Sequence, residues 1–151
     1  MASPRRQGRE VALQILCAAD TEPRMPAAAA LSAYDNHFAS VDLEEPTGGV
    51  AKPVLDRTFA ESLVRATLEN RDTVDRHISE ISRSWRLDRM ARVDRNILRL
   101  GVAEMLYFPD IPARVTLNEA VELAKRYGAE DSPSFVNALL DSVVKSLNLT
   151  K

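Results

Sequence analysis

The chain has one cysteine, Cys17, in 151 residues. A lone thiol closes no internal disulfide and builds no thiolate cluster for a metal, so a reducing compartment is the expected setting. Histidine is nearly as scarce: His37 and His77 stand far apart, and neither has a metal-type partner at a fixed spacing. Aromatic residues make up only 5% of the chain, and β-branched runs are short, which argues against strands. No apolar run approaches 18 residues, so no membrane span is expected. The first residues are basic and polar, unlike the apolar core of a secretory leader. A cytoplasmic protein is the expectation.

Chemistry is equally sparse. The Gly48-Gly49 pair lacks the lysine and hydroxyl that complete a phosphate loop. Glu119 and Glu122, with Lys125 and Arg126, have the spacing of helix-surface ion pairs, Glu122 and Arg126 in the favourable i,i+4 order. Cys17 has no histidine near it in sequence. No catalytic residues, no metal ligands and no cofactor are expected, and the chain is read as a binding protein rather than an enzyme.

What is abundant is helix. Hydrophobic residues make up 45% of the chain, rich in alanine and leucine, and the prolines cluster, leaving long stretches free of breakers. Apolar residues recur at helical spacing in seven segments. Residues 5–19 carry Ala12, Ile15, Leu16 and Ala19 on one face. A second helix opens near Pro26 and carries Ala30, Leu31, Tyr34 and Phe38. An acidic loop covers residues 40–52. A third helix follows over 53–70, and a fourth over 73–82 with Val74 and Ile78 inward. A fifth covers 88–107, with Val93, Ile97, Leu100 and Met105 on one side. Thr116 and Glu119 have the spacing of a capping box at the start of the sixth, which Gly128 ends. Ser132-Pro133 opens the seventh. The expectation is an all-α protein forming one domain over 1–151, with an N-terminal half of about 1–82 and a C-terminal half of about 83–151.

The net charge of −2 hides two basic clusters. Arg5, Arg6 and Arg9 open the first helix, Arg5 and Arg9 at the rim of its apolar face and Arg6 further round, and are read as looking outward. Arg83, Arg86, Arg89, Arg92, Arg95 and Arg99 form the second cluster, diluted by Asp88 and Asp94. Arginine's planar fork suits phosphate and carboxylate alike. The first cluster is a candidate phosphate-contacting set, aided by a helix N-terminus. Gln7, Gln14 and Tyr127 are candidates for contacts with bases.

Three segments carry a family resemblance. The chain reads RRQGREVALQIL from Arg5, LDRMARVDRNILRLGVAEML over residues 87–106, and IPARVTLNEAVELAKRYGAEDSPSFVNALLD over 111–141. Together they resemble the NusB family of bacterial transcription antitermination proteins along nearly the whole chain, most weakly over residues 21–52. The resemblance implies seven helices in two packed subdomains. It further implies a heterodimer with NusE, a small-subunit ribosomal protein. The pair would bind single-stranded boxA RNA within the Nus-factor complex, acting on RNA polymerase at ribosomal RNA operons.

Carried over residue by residue, the resemblance assigns RNA binding to Arg5, Arg6 and Arg9. Gln14 joins them as a base-reading candidate, and Asp131 matches an acidic residue beside the RNA surface. Asp94 matches the partner-contacting acid, and Arg99 follows the same stretch. Arg65-Ala66 replaces the family's glycine–valine pair on the third helix, where Arg65 would alter partner contact. Cys17 replaces an aromatic that usually follows the first helix's leucine. A protein-only adaptor, or an RNA module acting beside a separate ribosomal RNA methyltransferase, fits the same sequence. The sequence accommodates a monomer or a homodimer.

Overall fold

A computed structural model describes residues 4–21, 24–42 and 57–149, with the backbone alone for 35–42. The expected loop at 40–52 and the expected helix start at Pro53 fall largely outside these residues, as do the side chains of His37 and Phe38. Among the described residues there are seven α-helices and no strands. They are α1 (Pro4–Ala19), α2 (Ala27–Asp42), α3 (Arg57–Glu69), α4 (Arg71–Ile81), α5 (Arg92–Tyr107), α6 (Ala113–Tyr127) and α7 (Ser132–Ser146). No described helix is long and apolar enough to cross a membrane.

Helix α5 is the axis of the molecule. Every residue from Asn96 to Met105 is buried, so this helix has no solvent face over that stretch. A helix covered all round needs neighbours on every side, and α5 packs against α1, α3, α4, α6 and α7. The one-sided apolar stripe expected for it is therefore too narrow. Gly101 lets α7 approach: a Cβ there would lie 2.9 Å from a Leu140 methyl. On one side α1, α2 and α3 pack together; on the other α6 and α7 form a hairpin, with α4 against both α5 and α7. A single hydrophobic cluster, including Leu16, Leu63, Ile78, Ile97 and Leu140, runs through both groups.

Two helix starts differ from expectation. Helix α5 starts at Arg92 rather than near 88, after a single 3-10 turn at Leu87–Arg89. Met90 and Ala91 are extended, with ψ of 151° and 141°. The break carries the Met90 side chain into the core, where it is 7% exposed. The Thr116–Glu119 spacing is not a capping box. Helix α6 begins three residues earlier, and the backbone N–H groups of Val115 and Thr116 donate to the Pro112 carbonyl. Both side chains are drawn into tertiary contacts instead.

The turn between α6 and α7 also differs from its sequence signature. Gly128 has φ −92°, so it does not use the left-handed conformation of a glycine cap. Its value is room: a Cβ would sit 2.6 Å from both Cβ and Oγ of Ser132. Ser132 lies inside α7 rather than capping it, and its Oγ accepts from the Ala129 N–H at 2.9 Å. Asp131 occupies the cap position without a side-chain bond to the helix.

Candidate nucleic-acid interface

The three arginines that open α1 occupy three different environments. Arg5 is exposed, and its guanidinium carbon stands 5.0 Å from the centre of the Phe59 ring. No carboxylate engages it among the described residues. Arg6 forms a two-pronged pair with Glu119 of α6, its Nε and Nη2 donating at 2.9 and 3.0 Å. The Arg6 side chain is 42% exposed, so a good part of it still meets solvent. The bond and charge of Glu119 hold its pKa above the ordinary arginine value.

Arg9 departs from its expected outward position. It is 4% exposed and donates through Nε to Glu104 Oε2 at 3.0 Å, and through Nη2 to Glu104 Oε1. Thr116 adds its hydroxyl to the same carboxylate at 2.9 Å. Arg9 precedes Ala12 and Leu13 by three and four residues, so it falls inside the apolar face rather than on its rim. A buried guanidinium needs a buried carboxylate, and α5 supplies Glu104, itself 1% exposed. The ion pair ties α1 to α5, and Phe59 of α3 lies 5.2 Å from the same guanidinium.

The surface beside Arg6 belongs to α1 and α6 jointly. Arg126 reaches across to Glu10 instead of pairing with Glu122 on its own helix, and Lys125 takes Glu122 at 3.2 Å. Gln14 is exposed and accepts from the Tyr34 hydroxyl at 3.1 Å. Tyr127 is 37% exposed, with the Arg126 guanidinium 5.9 Å from its ring centre. Burial, and then the charge of Glu10, push its phenol up, so it stays neutral. Arg5, Arg6, Gln14 and Tyr127 thus offer a cation, a partly engaged fork, an amide and a ring. Gln7 is partly buried, and Asp131 is exposed at the start of α7.

The partner-contact candidates are dispersed. Arg65 is exposed on α3 and meets Glu69 one turn on, at 3.4 Å. Asp94 lies in the first turn of α5, where a carboxylate suits the helix dipole. Its Oδ1 is buried with no hydrogen-bond partner among the described residues. Arg99 is not on open surface. It is 6% exposed and donates to Asp75 Oδ1 at 2.8 Å and to Asp20 Oδ2 at 3.3 Å.

Arg99 belongs to a charged cluster that the sequence reading missed. Asp20, just beyond α1, accepts from Arg95 Nε, from Asn96 at 2.9 Å and from Arg99. Arg71 of α4 stands 3.8 Å from Asp20 and 3.7 Å from Asp75. Burial raises the Asp20 carboxyl, but the bonds from Arg95 and Asn96 and the charge of Arg99 outweigh it. The net pKa lies below the ordinary carboxylate value. Cys17 is shifted upward by burial and then by Asp20, which keeps its thiol protonated and poorly reactive. The available signal was an arginine, Arg99, and an acid, Glu104, set among the apolar residues of what proves to be the most buried helix.

The sequence model of the NusB family matches residues 6–145. The transcription antitermination protein NusB of Geotalea daltonii is 48% identical over 145 residues, covering 96% of this chain and 97% of that protein. The solved NusB of T. maritima is 33% identical with a TM-score of 0.69, covering 96% of this chain and 93% of that one. A solved structure of antitermination factors NusB and NusE in complex with dsRNA aligns with a TM-score of 0.75 at 23% identity. It covers 97% of this chain and 99% of its counterpart, a likeness of fold. From end to end of its seven helices, the chain belongs to the NusB family.

Proposed function

We propose that the protein is a transcription antitermination factor that binds boxA RNA together with NusE, supporting processive transcription of ribosomal RNA operons. The observation that carries this reading is the near full-length match to antitermination proteins named NusB. The α1 surface fits the role. Arg5 has no carboxylate partner among the described residues, Arg6 keeps part of its side chain in solvent, and both lie in the first turn of a helix. Cations and free N–H groups at a helix start attract phosphate. In this reading Arg9 acts indirectly: its bond to Glu104 fixes the register of α1, and with it the positions of Arg5 and Arg6. Gln14 reads bases, and Asp131 tunes affinity by repelling phosphate. Asp94 and Arg65 meet NusE, while Arg99 organises the ground beneath that contact.

A solved NusB relative has been captured with NusE and dsRNA, which supports the choice of partners. NusE contributes a second surface, so the pair binds RNA more tightly than either protein alone. The test is a titration of boxA RNA and a scrambled control with this protein, with and without its cognate NusE. Preference for boxA that strengthens with NusE is expected. Equal binding of both RNAs under both conditions would reject the assignment.

A further inference from the structure

The second arginine cluster frames a cleft of about 730 Å³ between the end of α1, α4, the 3-10 turn and the start of α5. Seven arginines line it against three aspartates, Asp20, Asp75 and Asp88. The acids are already engaged. Asp20 and Asp75 hold Arg95 and Arg99, and Asp88 faces Arg86 at 3.4 Å. Arg83 and Arg92 are exposed on the rim and have no carboxylate partner among the described residues.

The interior shows the same deficit. The Arg71 side chain is nine-tenths buried, its Nε has no hydrogen-bond partner among the described residues, and its carboxylate neighbours stand beyond hydrogen-bond distance. Burial, then the positive charges of Arg99 and Arg24, lower its pKa. A guanidinium carries five donors, and a buried one left unsatisfied is costly. An oxyanion entering the cleft meets an unused Arg71 Nε–H donor and a surplus of positive charge. Trp85, 61% exposed, stands in the wall and offers a ring for stacking.

We propose that this cleft is a second phosphate-binding site, centred on Arg71 with Arg83 and Arg92 at its mouth, that takes a phosphodiester of single-stranded RNA or a free phosphate group. The RNA source rests on the RNA-binding function proposed above; the phosphate site itself does not. In RNA the phosphate lies among the arginines and the adjoining base stacks on Trp85. The cleft lies beyond the last turn of α1, so it would extend the contact away from Arg5 and Arg6.

Two probes test it on the full chain: inorganic pyrophosphate and a single-stranded uridine dodecamer. Binding is followed by calorimetry and by the NMR signal of the Arg71 Nε–H group. Both probes are expected to move that signal. The Arg83→Ala/Arg92→Ala variant keeps its melting temperature, because both side chains are exposed and without carboxylate partners among the described residues. It is expected to bind both probes several-fold more weakly, with an RNA salt slope shallower by about one per arginine. Trp85→Ala is expected to weaken the dodecamer and spare pyrophosphate.

Pyrophosphate binding without dodecamer binding at this cleft supports the phosphate site and identifies a free phosphate as its ligand. That result is distinct from failure of the boxA titration, which concerns α1 and NusE. An unmoved Arg71 signal with both probes, or undiminished binding of both by the double variant, overturns the proposal. So does a double variant that loses only NusE binding, because the cleft would then be a protein-docking surface.

Discussion

The two arginine clusters resemble each other in sequence and differ in three dimensions. At the start of α1 one arginine is buried, one is shared between a carboxylate and solvent, and one is exposed over a ring. In the cleft, Arg71, Arg95 and Arg99 share two aspartates, and Arg83 and Arg92 on the rim have none among the described residues. The lesson is that a local excess of arginine says little about free positive charge. What counts is how many carboxylates the fold delivers to the same place. Helix α5 brings Glu104 to Arg9, and α6 brings Glu119 to Arg6, so the first cluster is largely compensated. At the second, three aspartates meet seven arginines, so more of the positive charge is left over.

That contrast can be broken at its tightest point first. Arg9→Ala leaves Glu104 buried with only Thr116 for company. A loss of about 3–5 kcal/mol is expected, the usual penalty for stranding one buried charge. Chemical denaturation of the variant measures it; a loss under 1 kcal/mol would mean that the pair adds little. Arg99→Ala should cost less, about 1.5–3 kcal/mol, because Arg95 and Asn96 continue to satisfy Asp20. A cost equal to that of Arg9→Ala would show the cleft to be as tightly compensated as the start of α1.

Acid offers a gentler probe of the same difference. The folded pKa of Asp20 lies below its unfolded value, about 3.9 for a free aspartate. Its contribution to stability is therefore complete above that value and disappears as pH falls through the folded pKa. Melting temperature against pH should decline below about pH 4, and Asp20→Asn should decline less steeply. Identical profiles would remove Asp20 as a source of the acid sensitivity.

The smallest effect on stability is expected for Arg5→Ala with Arg6→Ala, about 1 kcal/mol or less, because one side chain is exposed and the other half-exposed. RNA affinity and its salt slope should nevertheless fall. The double variant thus separates function from folding, as Arg9→Ala cannot. Unchanged RNA affinity and slope would remove these residues from the interface.

Helix count was legible in the sequence because each amphipathic segment announces itself through the period of its own apolar residues. The α1 stripe of Ala12, Ile15, Leu16 and Ala19 is buried as expected. Boundaries were less legible where a tertiary contact overrides a local signal. Thr116 and Glu119 have capping chemistry, but Glu104 and Arg6 claim them. Gly128 has the position of a left-handed cap but serves close packing against Ser132. Arg99 sits at a motif position expected to face a partner, yet turns to Asp75, 24 residues away.

The sequence by itself determined an all-helical chain with α1 at the front and an arginine-rich opening. Periodicity and composition are local properties, and they survive without knowledge of neighbours. Only the tertiary structure decided which arginines remain available to a ligand. Glu104 lies 95 residues from Arg9 and Asp20 lies 79 from Arg99. Charge compensation over such separations depends on how helices pack, and no spacing along the chain encodes it.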